Sequence, residues 1–207
     1  MRIARSLAVI VAFALMCQAP AGAQESLKRA EDFLKKMQDT ADELKSVSDN
    51  LAKSMGSLQK LSTAKGDSLK DAFGDFDKAF SNLQAKTEDV RKRATEMRAK
   101  GKDYFVAWQK EAAAIQNPEL RKASESRRTA MLAANEALTR SMTEGRGLLV
   151  TLMGDLQDLR NYLGSDLTES AVASAQPLVV SAQDNSKRVE AAIAGVQKQL
   201  GAILSRK

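Results

Sequence analysis

Apolar residues recur at alternating spacings of four and three along most of the chain. The longest run extends from Leu69 to Ile115, and the residues that share its seam are Phe73, Phe76, Phe80, Leu83, Thr87, Val90, Ala94, Met97, Gly101, Tyr104 and Trp108. A repeat of seven residues is what two helices need to pack along their full length. The pattern therefore predicts long helices that lie side by side.

The same spacing and its interruptions predict four helices, near residues 26–62, 68–116, 118–164 and 166–205. The first interruption holds Gly66, which permits a left-handed backbone turn. Asp67 or Ser68 is expected to cap the second helix, because both are favoured N-cap residues.

The later breaks also carry local signals. Asn117-Pro118 places a favoured N-cap before a favoured first helical residue. Gly164 is expected as a C-cap, and Asp166 with Glu169 as a capping box. Pro177 is expected to kink the fourth helix near its start or to split off one short turn.

Short connections make consecutive long helices run antiparallel. The predicted fold is all-α: an elongated antiparallel up-down-up-down helical bundle with coiled-coil-like packing, formed as a single domain by residues 24–207. Such seams can also pair between molecules, so a homo-oligomer is an open alternative.

The first 23 residues have the three parts of a secretory signal peptide. Arg2 and Arg5 give a basic start, an apolar run covers residues 7–17, and Ala21-Gly22-Ala23 offers small residues for cleavage. The prediction is export to the periplasm with cleavage after Ala23. An uncleaved N-terminal anchor is the alternative.

The composition argues against most catalytic chemistry. The chain has no histidine, and its one cysteine, Cys17, lies in the segment expected to be removed. The commonest general base and the thiol nucleophile are therefore missing from the mature chain. A carboxylate dimetal site built on Glu-x-x-His is excluded in the same way. The prediction is a protein that is not an enzyme and has no cofactor or metal, although a Ser-Lys pair or a carboxylate site stays open.

A basic face is predicted on the second and third helices. Its candidate residues are Arg91, Arg93, Arg98, Lys102 and Arg128. Such a surface suits an anionic envelope surface or an unknown envelope protein. Nucleic acid is not expected, because the positive charge of the exported chain is small. The alternative is an ordinary solvated face with interspersed acidic residues.

A structural clamp is predicted where the second helix turns into the third, from Trp108, Glu111, Asn117, Arg121 and Ser124. Glu111 falls on the apolar seam, and a buried carboxylate is costly unless it is paired. In an antiparallel hairpin, Arg121 lies nearly opposite. Loss of one partner of a buried pair is expected to cost about 3 kcal/mol. The functional alternative is a charged binding notch at the tip of the bundle.

The turn also carries a family resemblance, on Phe105, Trp108-x-x-Glu111, Ile115, Asn117, Leu120-Arg121 and Ser124. Together with Gly66-Asp67-x-Leu69, these residues resemble the bacterial domain of unknown function 2959 family, from about Gly66 to the C-terminus. The family's histidine at the end of the third helix is absent here, where residues 159–164 read Leu-Arg-Asn-Tyr-Leu-Gly. The resemblance implies a helical envelope protein and brings no reaction.

Two functions therefore compete at the level of the sequence. The first is a non-catalytic cell-envelope binding or scaffolding protein that contacts an anionic partner through its basic face. The second is a periplasmic holdase-type chaperone. A holdase needs a lasting apolar surface, whereas a scaffold needs only the charges. The narrow seams, which four helices can cover mutually, favour the first.

Overall fold

The computed structural model describes residues 21–205, which form four helices and, in that range, no strand. The helices are α1 (Ala21–Leu61), α2 (Ser68–Ala113), α3 (Pro118–Ser165) and α4 (Glu169–Leu204). At a rise of 1.5 Å per residue they are roughly 54 to 72 Å long. The predicted all-α helical bundle is confirmed. The apolar run of the predicted signal peptide lies outside the described residues.

Side-chain pairs show that α1 runs antiparallel to α2 and that α3 runs antiparallel to α4. Lys36 of α1 binds Glu96 of α2 at 2.7 Å, and Lys86 binds Glu43 at 3.3 Å. Between α3 and α4, Asn185 donates to Asp155 at 2.7 Å and Gln199 donates to Ser141 at 2.9 Å. α1 packs most extensively on α2 and α3 on α4, whereas the contact between α2 and α3 is the smallest of the four.

One predicted helix boundary has the predicted chemistry, and two others lie at different residues. Asn117 caps α3, because its side chain accepts hydrogen bonds from the backbone N–H groups of Glu119 at 3.0 Å and Leu120 at 3.1 Å. Pro118 follows as the first residue of that helix. α1 begins at Ala21 rather than near residue 26, and α2 ends at Ala113 rather than near residue 116.

The predicted capping box at the start of α4 is wrong. The helix begins at Glu169, and Thr168 is its N-cap, accepting from the backbone N–H of Ala171 at 3.1 Å. The carboxylate of Glu169 instead accepts from the backbone N–H of Gly66 at 2.9 Å. It therefore joins the two loops at one end of the bundle.

Gly66 has its predicted role, whereas Gly164 and Pro177 do not. Gly66 has the left-handed backbone expected of it, with φ 54°. Gly164 is helical rather than a C-cap, and a Cβ there would lie 3.2 Å from Cζ of Phe73, so it allows a close approach of α2 and α3. Pro177 lies inside a continuous α4, so no separate first turn is split off.

Two groups of aromatic side chains fill the bundle at different heights. Phe76 and Phe80 stack with ring centroids 6.0 Å apart in the half near the Gly66 loop. Towards the other end, Phe33 of α1 packs at 5.7 Å on Phe105 and at 5.5 Å on Tyr104. Between these groups the core is built from smaller side chains.

Candidate functional site

The turn between α2 and α3 is held by three local interactions. The indole N–H of Trp108 donates to the hydroxyl of Ser124 at 3.0 Å, and Asn117 caps α3. The guanidinium of Arg121 donates to the backbone carbonyl of Ile115 at 2.8 Å. This bond satisfies a carbonyl just beyond the end of α2, where intrahelical donors are missing.

The predicted Glu111–Arg121 pair is wrong. Glu111 accepts instead from Arg29 of α1, and from the hydroxyl of Ser26 at 2.7 Å. Its side chain is 42% exposed, so this ion pair is a surface pair that contributes less than about 1 kcal/mol. Burial, and secondarily the charge of Glu111, raises the pKa of the nearby Tyr104 phenol. Glu111 therefore joins α2 to α1, and the other four predicted clamp residues hold the turn.

The predicted basic face divides into two flanks of α2. Arg93 lies on the flank towards α1, where it pairs with Glu96 at 3.5 Å. Arg91, Arg98 and Lys102 fall on one stripe of the helix, because residues seven and eleven apart lie nearly above one another. Arg128, on α3, is half-buried and its Nε atom has no hydrogen-bond partner among the described residues.

A cleft of about 470 Å³ opens beside that stripe, between α2 and α3. Its floor and walls are mainly apolar, from Leu44, Val47, Val90, Ala94, Met142, Leu149, Met153, Val189, Ala192, Ile193 and Val196. The lining residues that are exposed all belong to α2 or α3, among them Arg98 and Val150. The mouth of the cleft therefore lies between these two helices, and α1 and α4 close its back.

The cleft exists because small residues meet at this height of the bundle. The seam of α2 carries Thr87, Val90 and Ala94 here, between Phe80 on one side and Phe105 on the other. α3 contributes Gly145, where a Cβ would lie 3.5 Å from the Cβ of Ala192. These side chains are too short to fill the space between four helices held apart by the aromatic groups.

Three arginines and one glutamate surround the mouth: Arg91, Arg98, Arg146 and Glu88. Arg91 binds Glu88 through two hydrogen bonds, at 2.7 and 2.8 Å. The bond to Arg91 lowers the pKa of Glu88, and the same bond raises the pKa of Arg91. Both groups therefore stay charged near neutral pH, and the rim keeps a net positive charge.

A family model described as "Protein of unknown function (DUF2959)" matches residues 23–201, which include the turn, the cleft and its rim. The chain belongs to the DUF2959 family. No curated protein and no solved structure gives a significant match. Within residues 21–205 of this DUF2959 protein, no helix is both long and apolar enough to cross a membrane.

Sequence reasoning about this DUF2959 chain missed Arg146 and the cleft. Arg146 lies between Gly145 and Gly147, and two glycines inside a helix indicate reduced helix stability and not a binding site. A run of small residues at the same height on three helices was the available signal. Small residues leave a cleft only where they face one another. The spacing of residues along one helix does not show which residues of another helix they face.

Proposed function

We propose that this protein is a non-catalytic binding or scaffolding protein of the cell envelope that uses the mouth of the α2–α3 cleft to contact an anionic partner. The observation that carries the proposal is the arginine rim, in which Arg98 and Arg146 are exposed on opposite sides of an apolar opening. Positive side chains around a concave site concentrate the field at its mouth. The secretory pattern of residues 1–23 supports the location.

The lack of histidine throughout the chain supports a binding role over a catalytic one. Among residues 21–205, no group of His, Cys, Asp and Glu is arranged to hold a metal ion. The groups that the cleft does offer are guanidinium donors and aliphatic surface. These bind anionic and apolar parts of a partner without reacting with them.

Charge reversal at the rim tests the anionic partner. We expect the exported chain to float with phosphatidylcholine vesicles that contain phosphatidylglycerol, and not with phosphatidylcholine alone. The double variant Arg98→Glu, Arg146→Glu should lose at least about 30-fold in vesicle affinity, because each basic residue near an anionic surface contributes about 1 kcal/mol and the two new carboxylates are repelled by it. Flotation over a series of lipid concentrations measures this.

The matched control is Lys92→Glu with Arg140→Glu. These residues lie on the same two helices, are exposed, and do not line the cleft. The control makes the same change in net charge, so any effect of overall charge appears in both variants. Equal losses in the two double variants would contradict a role for the rim. A wild type that does not bind vesicles with phosphatidylglycerol would contradict an anionic membrane surface as the partner.

The cleft also favours a second candidate, a periplasmic holdase. It is an apolar surface that the four helices do not cover mutually, and Val150 at its edge is 62% exposed. A holdase would delay aggregation of a denatured client in light-scattering assays, independently of the rim charges. Suppression that survives Arg98→Glu, Arg146→Glu would favour this candidate over the first.

A further inference from the structure

We infer that the α2–α3 cleft binds one molecule of a free single-chain anionic amphiphile, of the fatty-acid class, with its chain inside and its carboxylate at the arginine rim. The inference rests on the proposed function, since it assumes that the rim meets an anionic partner. It adds a ligand for the apolar interior of the cleft behind the rim. The charge of the mouth and the apolarity of the interior belong to one continuous site.

The interior suits an alkyl chain in size and chemistry. Its volume of about 470 Å³ falls within the roughly 300–1,000 Å³ of small-molecule sites, which are mostly apolar with a few placed polar groups. Leu44, Val47 and Val196 form a buried back wall contributed by α1 and α4. A chain that enters between α2 and α3 is stopped there, so the site selects one short chain rather than a continuous lipid surface.

The polar end of the ligand has donors at the mouth. Arg98 and Arg146 are exposed, and neither has an ion-pair partner among the described residues, whereas Arg91 is occupied by Glu88. The Thr87 hydroxyl lines the same cleft, and its buried oxygen makes no hydrogen bond within residues 21–205. A carboxylate at the mouth can therefore accept from two guanidinium groups, while the hydroxyl is a further donor within the cleft wall.

The width of the mouth argues against a larger occupant. α2 and α3 still meet on both sides of the cleft, through Trp108 and Ser124 at one end and through Gln84 and Gln157, 3.1 Å apart, at the other. A helix of a partner protein, about 10 Å across, would have to separate these contacts. A single alkyl chain enters without breaking them.

Isothermal titration calorimetry with three probes measures the contributions of the apolar interior and of the arginine rim separately. Dodecanoate carries both chain and charge, dodecan-1-ol carries the chain alone, and acetate carries the charge alone. We expect one dodecanoate per chain below its micelle concentration, dodecan-1-ol about tenfold weaker or more, and no measurable acetate binding. A charged hydrogen-bonded contact of this kind accounts for a factor of that size.

Variants place the binding in the cleft. Ala94→Phe fills the interior while leaving the rim charges in place, and it should abolish dodecanoate binding. Val150→Glu adds a repelling carboxylate at an exposed edge, where folding is not at risk, and should weaken binding about tenfold or more. Ala99→Phe, at an exposed position of the same helix, is the matched control and should change affinity less than about twofold.

Each outcome decides between the claims. Dodecanoate affinity that survives Val150→Glu, or Ala94→Phe in a variant with wild-type circular dichroism, overturns the inference, as does a wild type that binds none. If the wild type still floats with phosphatidylglycerol vesicles in that case, the proposed function stands and only the amphiphile fails. Dodecanoate binding without vesicle binding would instead remove the anionic envelope surface as the partner.

Discussion

Replacing Phe80 by alanine is expected to lower the free energy of unfolding by about 4 kcal/mol, since removing a buried phenylalanine typically costs 3–5 kcal/mol. The Phe80 ring is fully buried, stacks on Phe76, and lies 6.0 Å beneath the guanidinium of Arg160. Deleting it removes half of the Phe76–Phe80 stack, which separates the helices between the cleft and the Gly66 loop. Urea unfolding followed by circular dichroism measures the change.

The control for this substitution is Phe80→Leu. Leucine restores most of the volume, so the cost should stay below about 1.5 kcal/mol. Leu120→Ala gives a second reference, because Leu120 is 62% exposed and should lose less than about 0.5 kcal/mol. A Phe80→Ala value close to that of Leu120→Ala would show that the aromatic layer does not support the bundle.

The second large effect is expected at Gly101 of α2. A Cβ at this position would lie 2.8 Å from Cε2 and 3.2 Å from Cζ of Phe33, closer than van der Waals contact allows. Gly101→Leu should therefore destabilise the protein by about 1–3 kcal/mol through overpacking. The gain in helix propensity, about 1 kcal/mol, works in the opposite direction and does not offset the clash.

Two further variants distinguish a steric clash at Gly101 from an effect of helix propensity alone. Gly56 lies inside α1 near its C-terminal end, and a Cβ added there has nothing within 4 Å. Gly56→Ala should therefore stabilise the protein by roughly 0.5–1 kcal/mol. Phe33→Leu should recover part of the loss in Gly101→Leu, because a smaller side chain makes room. Additive losses in the double variant would contradict a direct clash.

Features set by neighbouring residues were predictable from the sequence. The Asn117-Pro118 break and the left-handed Gly66 need only local backbone chemistry. The heptad seam likewise predicted four helices, because most residues on it have to be buried. Phe76, Phe80, Leu83 and Met97 are buried as that pattern requires.

Features that depend on a partner from another helix were not predictable. Gly164 looks like a C-cap, but its use is the approach of Phe73 from α2. Glu169 looks like half of a capping box, but it binds Gly66 across the bundle. The hairpin places Arg121 nearly opposite Glu111, whereas the actual partner, Arg29, lies 82 positions earlier on α1.

The cleft could not be predicted for the same reason, because it is formed by residues of several helices. Thr87 and Ala94 on the seam are ordinary heptad residues when α2 is read alone. They leave a hollow only because Gly145 and Ala192 stand at the same height on α3 and α4. Arg146 is a rim residue only because of that hollow, so the predicted basic face included Arg128 of α3 but not Arg146, which lines the mouth.

Photo-crosslinking tests most directly whether the cleft is the binding site. Dodecanoate with a diazirine near the end of its chain would be irradiated with the protein, and the labelled peptides identified by mass spectrometry. Labels are expected on Val90, Ala94, Leu149 and Val196, and they should be lost in Ala94→Phe. Labels scattered over the exposed apolar residues Leu120, Tyr162 and Val180, with none in the cleft, would contradict it.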